Sequence, residues 1–471
     1  MADNKAITAE AIEFIEKVSY NDLPAEALRV GKRCMIDTLG VMIAGCSEHS
    51  VGILVEDALE QGGKQEALLL SGGQHKAPAA IAARVLGTAG HAHDWDDTQV
   101  SHDPAHVYGL LTHPSVPPLS AAIAMAQRLG GVDGKRFMLA FQTGFETECK
   151  ISEWMSHRHY RRGHHSSGTV GTFGAAAAAA KLLGLTGDKL AHALGIAASL
   201  AAGIRANFGT MTKPLHVGRA SENGVTAAIL ASRGFTADPT VLDGQWGFFA
   251  VMGEGFDPSK PSQGFGKTFT IVDPGVSIKP FPSGILTHQS MDAMLKLVLD
   301  NDLKPEEVEA IRFYAGKNIL EPIRYPLAVN HLQAKFSMPA LLAMMVLKRR
   351  ASHHEFLDDF VAGPTMQDMQ KRTQCLGDPE IDARGYDLIR SRIEVDTKDG
   401  RKLVQWADER YRGGPLNPIS DADLEGKFRM CAEGALSDAQ QAKLLGIVAG
   451  LENVADSADL AKAMVFEAAH H

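Results

Sequence analysis

The sequence predicts a mainly α protein, a large all-helical domain split by a smaller α+β insertion. Three observations carry this reading. The first half is a succession of apolar-periodic stretches punctuated by proline, glycine and capping residues. The texture turns β-branched and aromatic after about residue 266, and helical patterning returns from about 418. At 471 residues the chain also exceeds the size at which one core usually stops growing. The expected division is 1–267 and 408–471 for the helical domain and 268–407 for the insertion.

Taken in order, Pro24 follows Asn21-Asp22 and opens an apolar-periodic run from Ala25 to Ala44, closed by Gly45. Residues 78–90, 115–130, 136–155, 170–184 and 188–203 repeat the pattern, and Thr186 is placed to cap the last of them. The alanine-rich stretch 174–202 has strong helix propensity and the composition of a helix packed between others. Thr268–Val272 and Ile311–Tyr314 have strand character, the latter after a helix-like Pro305–Ala310. Arg392–Val395 and Leu403-Val404 flank Lys398-Asp399-Gly400-Arg401, where Asp-Gly between alternating segments signals a hairpin. Ser420-Asp421 leads into a final helical pattern, Leu424–Ala432. No repeat of fixed period is visible, and the terminal His470-His471 is set aside.

Hydrophobic content of 45% and charged content of 22% describe an ordinary globular protein. A net charge of −9 argues against general nucleic-acid binding. The five cysteines, Cys34, Cys46, Cys149, Cys375 and Cys431, are scattered and never in C-x-x-C spacing, which fits a reducing compartment and no cysteine zinc cluster. The N-terminus lacks a signal-peptide pattern, and no stretch of about twenty residues is both uncharged and strongly apolar. A cytoplasmic protein without a membrane span is expected.

Four stretches carry possible chemistry. Gly209–Gly218, G-T-M-T-K-P-L-H-V-G, sets Lys213 before a proline, which disfavours α geometry at the lysine and places it at a helix break. Residues 91–115 hold five histidines and four aspartates. This run reads as a solvated polar loop, as a metal site, although its spacing matches no familiar zinc pattern, or as a metal-free acid–base site where an aspartate orients a histidine. Gly163–Gly171 contains His165 just before the alanine-rich helix, either as a capping loop or as an anion site. Ile278–Pro282 contributes Lys279 in a second Lys-Pro pair. Arg205, His216 and Arg219 add positive charge near Lys213, so Arg205, Lys213, His216, Arg219 and Lys279 are expected to bind a polycarboxylate. No G-x-G-x-x-G, P-loop or G-x-S-x-G is present, and nucleotide-dependent and serine-hydrolase functions have no support.

Together these stretches resemble the MmgE/PrpD family over nearly the whole chain. The matching blocks are D-W-D-D-T with T-H-P-S, the G-H-H-S-S-G-T-V-G-T-F-G run into K-L-L-G-L, and N-F-G-T-M-T-K-P-L-H-V-G-R-A. Later blocks are K-P-F-P-S-G-I-L-T-H-Q-S-M-D-A, Q-A-K-F-S at Gln333 to Ser337, and L-N-P-I-S. The resemblance implies a helical domain with an α+β lid, a homodimer, and chemistry beside a carboxylate without nucleotide or flavin. Known members include 2-methylcitrate dehydratase, cis-aconitate decarboxylase and iminodisuccinate epimerase. By motif position Asp94, Thr98, His113, His165, Lys213 and Lys279 match the active-site set of the decarboxylase branch. The fifteen-residue step from Thr98 to His113 is longer than in relatives and adds His102, Asp103, His106 and Tyr108, while Tyr325 is displaced from the expected position of a lid tyrosine.

The function this implies is a lyase needing no metal or cofactor and acting on a di- or tricarboxylate, with 2-methylcitrate-like dehydration as the leading expectation. Lys213 and Lys279 hold carboxylates and stabilise enolate-like charge. His113, oriented by Asp94, and His165 are the acid–base pair, and the Thr98 hydroxyl positions one of them. Decarboxylation or epimerisation would use the same residues. A non-catalytic carboxylate-binding protein and a metal-dependent hydratase are the other readings. Closure about hinges near 266 and 407 would exclude water.

Overall fold

The six long helices expected in the first half all form, each within three residues of its expected ends: Ala25–Gly45, Ala79–His91, Val116–Leu129, Gly134–Trp154, Gly171–Leu183 and Gly187–Leu200. They belong to a computed structural model that describes residues 6–70, 73–99, 112–155, 158–253, 264–385 and 389–465. The architecture is mainly α, with small sheets. Helix Gly171–Leu183 is buried from Gly171 to Ala180, as a helix with no polar face must be. Small residues set how closely its neighbours approach. A Cβ on Gly45 would lie 1.9 Å from the carbonyl oxygen of Ala89, and one on Gly224 would lie 2.5 Å from the amide nitrogen of Ala176. Helix Thr212–Ser232 is seated against Gly171–Leu183 at Gly224 and against Ala79–His91 at Gly218, where a Cβ would meet the Arg84 carbonyl oxygen at 2.5 Å.

Thr186 has the extended backbone of an N-cap, but its side chain makes no capping bond. Ser420 does cap Asp421–Ala432, in a reciprocal box with Asp423.

Two expectations are corrected. Thr268–Val272 is a run of turns rather than a strand. The Glu146 carboxylate accepts from the amides of Gly266 and Thr270, while Phe269 and Ile271 bury themselves, so apolar β-branched character here reflects burial. Pro305–Ala310 is not a helix. Only Pro305–Glu307 makes a 3-10 turn, and the strand Val308–Ala315 takes over at once.

That strand lies inside a four-stranded sheet with spatial order Thr373–Gly377, Val308–Ala315, Ser391–Thr397, Lys402–Trp406. The first pair is parallel and the others antiparallel. The expected hairpin forms, with Gly400 at φ +87° in the turn. Helices His288–Asp300 and Met338–Lys348 complete this region.

Buried apolar side chains gather in two large clusters. One runs from Ile7 to Val276 and resumes from Phe428 to Met464; the other holds Phe208 and residues from Phe281 to Tyr411. A two-residue antiparallel pairing, Thr98–Gln99 with Val276–Ser277, ties the histidine-rich stretch to the segment leading to Lys279. All five cysteines are free thiols. Among the described residues no single helix is long and apolar enough to cross a membrane; Ala25–Gly45 with His49–Gln61 reaches that composition only across an 82° bend.

Candidate active site

Helix Ala79–His91 ends at His91, and the loop that follows, Ala92 to Asp97, is gripped by three buried lysines from distant parts of the chain. Lys335 donates to the carbonyl of Ala92 at 2.8 Å, Lys279 to that of Asp94 at 2.9 Å, and Lys427 to that of Trp95 at 2.7 Å. Lys427 also pairs with Asp37 at 2.6 Å. Within this cradle Asp94 sits at φ +51°, a left-handed conformation that costs a non-glycine residue about 1–3 kcal/mol and persists only where its surroundings enforce it. Carbonyl-to-ammonium bonds on either side supply that enforcement.

The Asp94 side chain joins two of the predicted cations. Its Oδ1 lies 2.7 Å from Lys279 Nζ and 3.3 Å from Lys213 Nζ. Burial alone would raise this carboxyl, but the two ammoniums outweigh it and hold it well below the usual range. Lys213 stands in the first turn of helix Thr212–Ser232, not outside a helix as its proline neighbour suggested. Pro214 is tolerated there because first-turn amides have no partner inside the helix to lose. Lys213 Nζ lies 2.6 Å from His91 Nε2 and over the rings of Phe208 and Phe336, at 5.1 and 5.3 Å from their centroids. Burial pushes its proton affinity down, against the pull of Asp94, to about 8.

His113 donates from Nδ1 to the carbonyl of Asp97 at 2.8 Å, with Asp96 Oδ2 at 3.3 Å. Its Nε2 is 3.7 Å from Asp94 Oδ1. The expectation that Asp94 orients His113 is therefore corrected: Asp97 and Asp96 do so, and Asp94 is committed to the lysines. His165 Nδ1 lies 3.0 Å from His216 Nδ1, and burial, reinforced by Lys213, holds its pKa well below the usual imidazole value. His216 is likewise pushed down, to about 4. Among the described residues the Thr98 hydroxyl bonds to no histidine, and it and Asp94 Oδ2 are buried without a hydrogen-bond partner.

These groups face one small cavity of about 40 Å³. Asp94, Thr98, His113, His165 and Lys213 form its polar side, and Phe208, Ile285, Leu286, Ile323 and Phe336 its apolar side. Two orphaned polar atoms on the wall mark a place where a polar ligand would bond. The other predicted cations are not on that wall. Lys279 lies behind Asp94. His216 reaches the site only through His165. Arg205 stacks 4.0 Å above the Tyr160 ring and donates to the Tyr160 carbonyl. Arg219, about half exposed, pairs with Glu222 at 2.6 Å, because its position on the helix faces outward. Tyr325 donates to the Phe208 carbonyl at 2.9 Å and packs over Gly209. His102, Asp103, His106 and Tyr108 lie outside the described residues.

Sequence reasoning did not single out His91, Asp96, Lys335 or Lys427. His91 and Asp96 belong to the flagged histidine-rich run and Lys335 to the Q-A-K-F-S block, so a signal existed for these; Lys427 stands alone in an ordinary segment. Ring nitrogens of His91, His113 and His165 converge within 4.8 Å, a separation compatible with a metal ion. His91 nevertheless spends Nδ1 on Asp96 and Nε2 on Lys213, which leaves it no lone pair for a metal while Lys213 is charged.

The profile of the MmgE/PrpD N-terminal domain matches residues 10–261, and that of the C-terminal domain matches 281–453. Cis-aconitate decarboxylase of Homo sapiens is 28% identical over 96% of this chain and 93% of its own length. The Mus musculus enzyme of the same name is 27% identical over 97% and 93%, and that of Aspergillus terreus 24% over 98% and 96%. With both profiles matched and the D-W-D-D-T, H-P-S and T-K-P blocks meeting at one cavity, this chain belongs to the MmgE/PrpD family.

Proposed function

We propose that this chain is a cofactor-independent lyase that decarboxylates a cis-aconitate-type unsaturated tricarboxylate. The observation that carries the reading is the Lys213 ammonium, buried on the cavity wall beside imidazoles of low proton affinity. Dehydration and epimerisation both begin by pulling a proton from carbon, for which such imidazoles are weak bases. Decarboxylation requires no base. The bond between a methylene carbon and its carboxylate breaks, CO₂ leaves, and the electron pair forms a new terminal alkene. The original double bond shifts its electrons to the far carbon, which takes one proton.

In this site Lys213, held between His91 and Asp94, donates that proton and offsets the charge of a retained carboxylate. A carboxylate turned toward Ile285, Leu286 and Ile323 exchanges water for hydrocarbon and sheds its charge on leaving as CO₂. His113 Nε2 and the Thr98 hydroxyl supply polar contacts to the remaining carboxylates. The names of the relatives, matched over nearly the full chain, support this order of preference over 2-methylcitrate-like dehydration. Dehydration remains the second reading because two imidazoles, His113 and His165, stand 6.5 Å apart across the site and could divide base and acid roles. The same reading carries a helical domain with a 268–407 lid in a cytoplasmic homodimer; the two apolar clusters support a division of this kind, with its edges nearer 277 and 411.

The test is NMR of the metal-stripped protein in D₂O with cis-aconitate, 2-methylcitrate, citrate and iminodisuccinate. A terminal alkene carrying one deuterium at the shifted carbon, with CO₂ release, is expected. An alkene from a hydroxy acid without CO₂ would replace this reading with dehydration, and exchange without net reaction would replace it with epimerisation. Binding without conversion would leave a carboxylate-binding protein, and activity restored only by added metal would overturn the cofactor-free assignment.

A further inference from the structure

We infer that His91, backed by Asp96, is a positioning residue that aims the Lys213 ammonium into the cavity and keeps it in its proton-donating form. This rests on the reading of Lys213 as the proton donor.

The geometry determines the roles. Both oxygens of Asp96 lie 2.9 Å from His91 Nδ1, and a carboxylate only accepts, so the ring proton sits on Nδ1. Nε2 is then an acceptor, and the Lys213 ammonium at 2.6 Å is its donor. The imidazole is fully buried, at the end of a helix whose packing fixes its ring. Burial, and the ammonium beside it, keep it neutral, with a proton affinity lowered to about 3, so it serves as a fixed acceptor across the working pH range.

An ammonium has three N–H bonds in tetrahedral array. One points to His91 Nε2 and a second toward Asp94 Oδ1, and the third is left for the cavity that Lys213 lines. Removing the His91 acceptor frees the ammonium to rotate and removes a bond that favours its charged form. Among the described residues, the charged and titratable groups facing Lys213 besides His91 are Asp94 and Asp96 from the loop, Lys279 from beyond the 276–277 strand, His113 and His165 from the facing segments, and His216 one turn along its own helix. Asp94 and Asp96 favour the charged form, while Lys279 and burial oppose it. In the transfer the Nζ–H bond breaks as a C–H bond forms, leaving a neutral amine that regains its proton from solvent after the product leaves.

The experiment compares His91→Leu, His91→Gln, Asp96→Asn and Lys213→Met in the full chain, with steady-state kinetics from pH 5 to 10 and circular dichroism as the folding check. His91→Leu is expected to lower kcat at least about tenfold with little change in KM, and to move the alkaline limb to lower pH. Glutamine, whose amide oxygen accepts from Nζ, restores a large part of kcat. Asp96→Asn moves the alkaline limb the same way as His91→Leu. A folded His91→Leu chain with kcat within twofold of the parent and an unmoved limb overturns the inference. If His91→Leu does not fold, Asp96→Asn decides, and an unmoved limb overturns it. Turnover surviving in Lys213→Met instead defeats the reading of Lys213 on which it rests. An inactive Lys213→Met with a parent-like His91→Leu defeats only the role of His91.

Discussion

Replacing Lys279 with methionine keeps the length of the side chain and deletes the ammonium that binds Asp94 twice, at 2.7 Å to its carboxylate and 2.9 Å to its carbonyl. Removing one partner of a buried ion pair costs about 3–5 kcal/mol, because the other charge is left in a medium that solvates it poorly. Here the second ammonium, Lys213, stays 3.3 Å from the same oxygen and keeps part of the compensation, which places the loss at the lower end, about 3 kcal/mol. That is a large share of a typical total stability of about 5–15 kcal/mol. Urea unfolding followed by circular dichroism reads it directly. A double-mutant cycle with Asp94→Asn isolates the pair, and the two losses are expected to be less than additive by about 1–3 kcal/mol. A Lys279→Met chain within about 0.5 kcal/mol of the parent, or strictly additive losses, would refute the reasoning that this lysine exists to neutralise and hold Asp94.

Because Lys213 is pushed down to about 8, turnover that needs its ammonium falls as pH rises through that value, and a kcat profile flat from pH 7 to 10 would contradict it. Arg219→Ala leaves kcat/KM within about twofold, since Arg219 is half exposed and pairs with Glu222 rather than facing the cavity; a loss beyond about tenfold would return it to the site. Gly45→Ala drives a methyl group into the Ala89 carbonyl, a backbone atom that cannot swing aside, and should lower stability by about 1–3 kcal/mol by urea unfolding. An unchanged midpoint would show that the two helices separate freely.

The order of helices was legible because helix formation is governed by contacts three and four residues apart, which a run such as Ala25–Gly45 or Gly171–Leu183 displays openly. The Asp-Gly hairpin was legible for the same local reason. Thr268–Val272 misled because β-branched residues serve burial in turns as well as in strands. Lys213 misled because the bias against α geometry before proline is a preference, overridden here in a first helical turn where the proline costs no internal amide bond.

At the site, the reactive inventory is legible in the chain itself: histidines and aspartates concentrated in one run, a lysine before proline in another, and His165 ahead of the alanine-rich helix. Which of them meet was decided by tertiary structure alone. The lysines holding the Ala92–Trp95 backbone come from 185, 243 and 332 residues away; the Q-A-K-F-S block marks Lys335 without revealing that task, and no local pattern marks Lys427. Arg219 and Lys213 lie six residues apart on one helix, yet one faces water and the other the cavity, because packing sets the direction each side chain takes. Residue type determines which protons and charges are available, while only the meeting of remote segments determines their distances, their burial and hence their proton affinities.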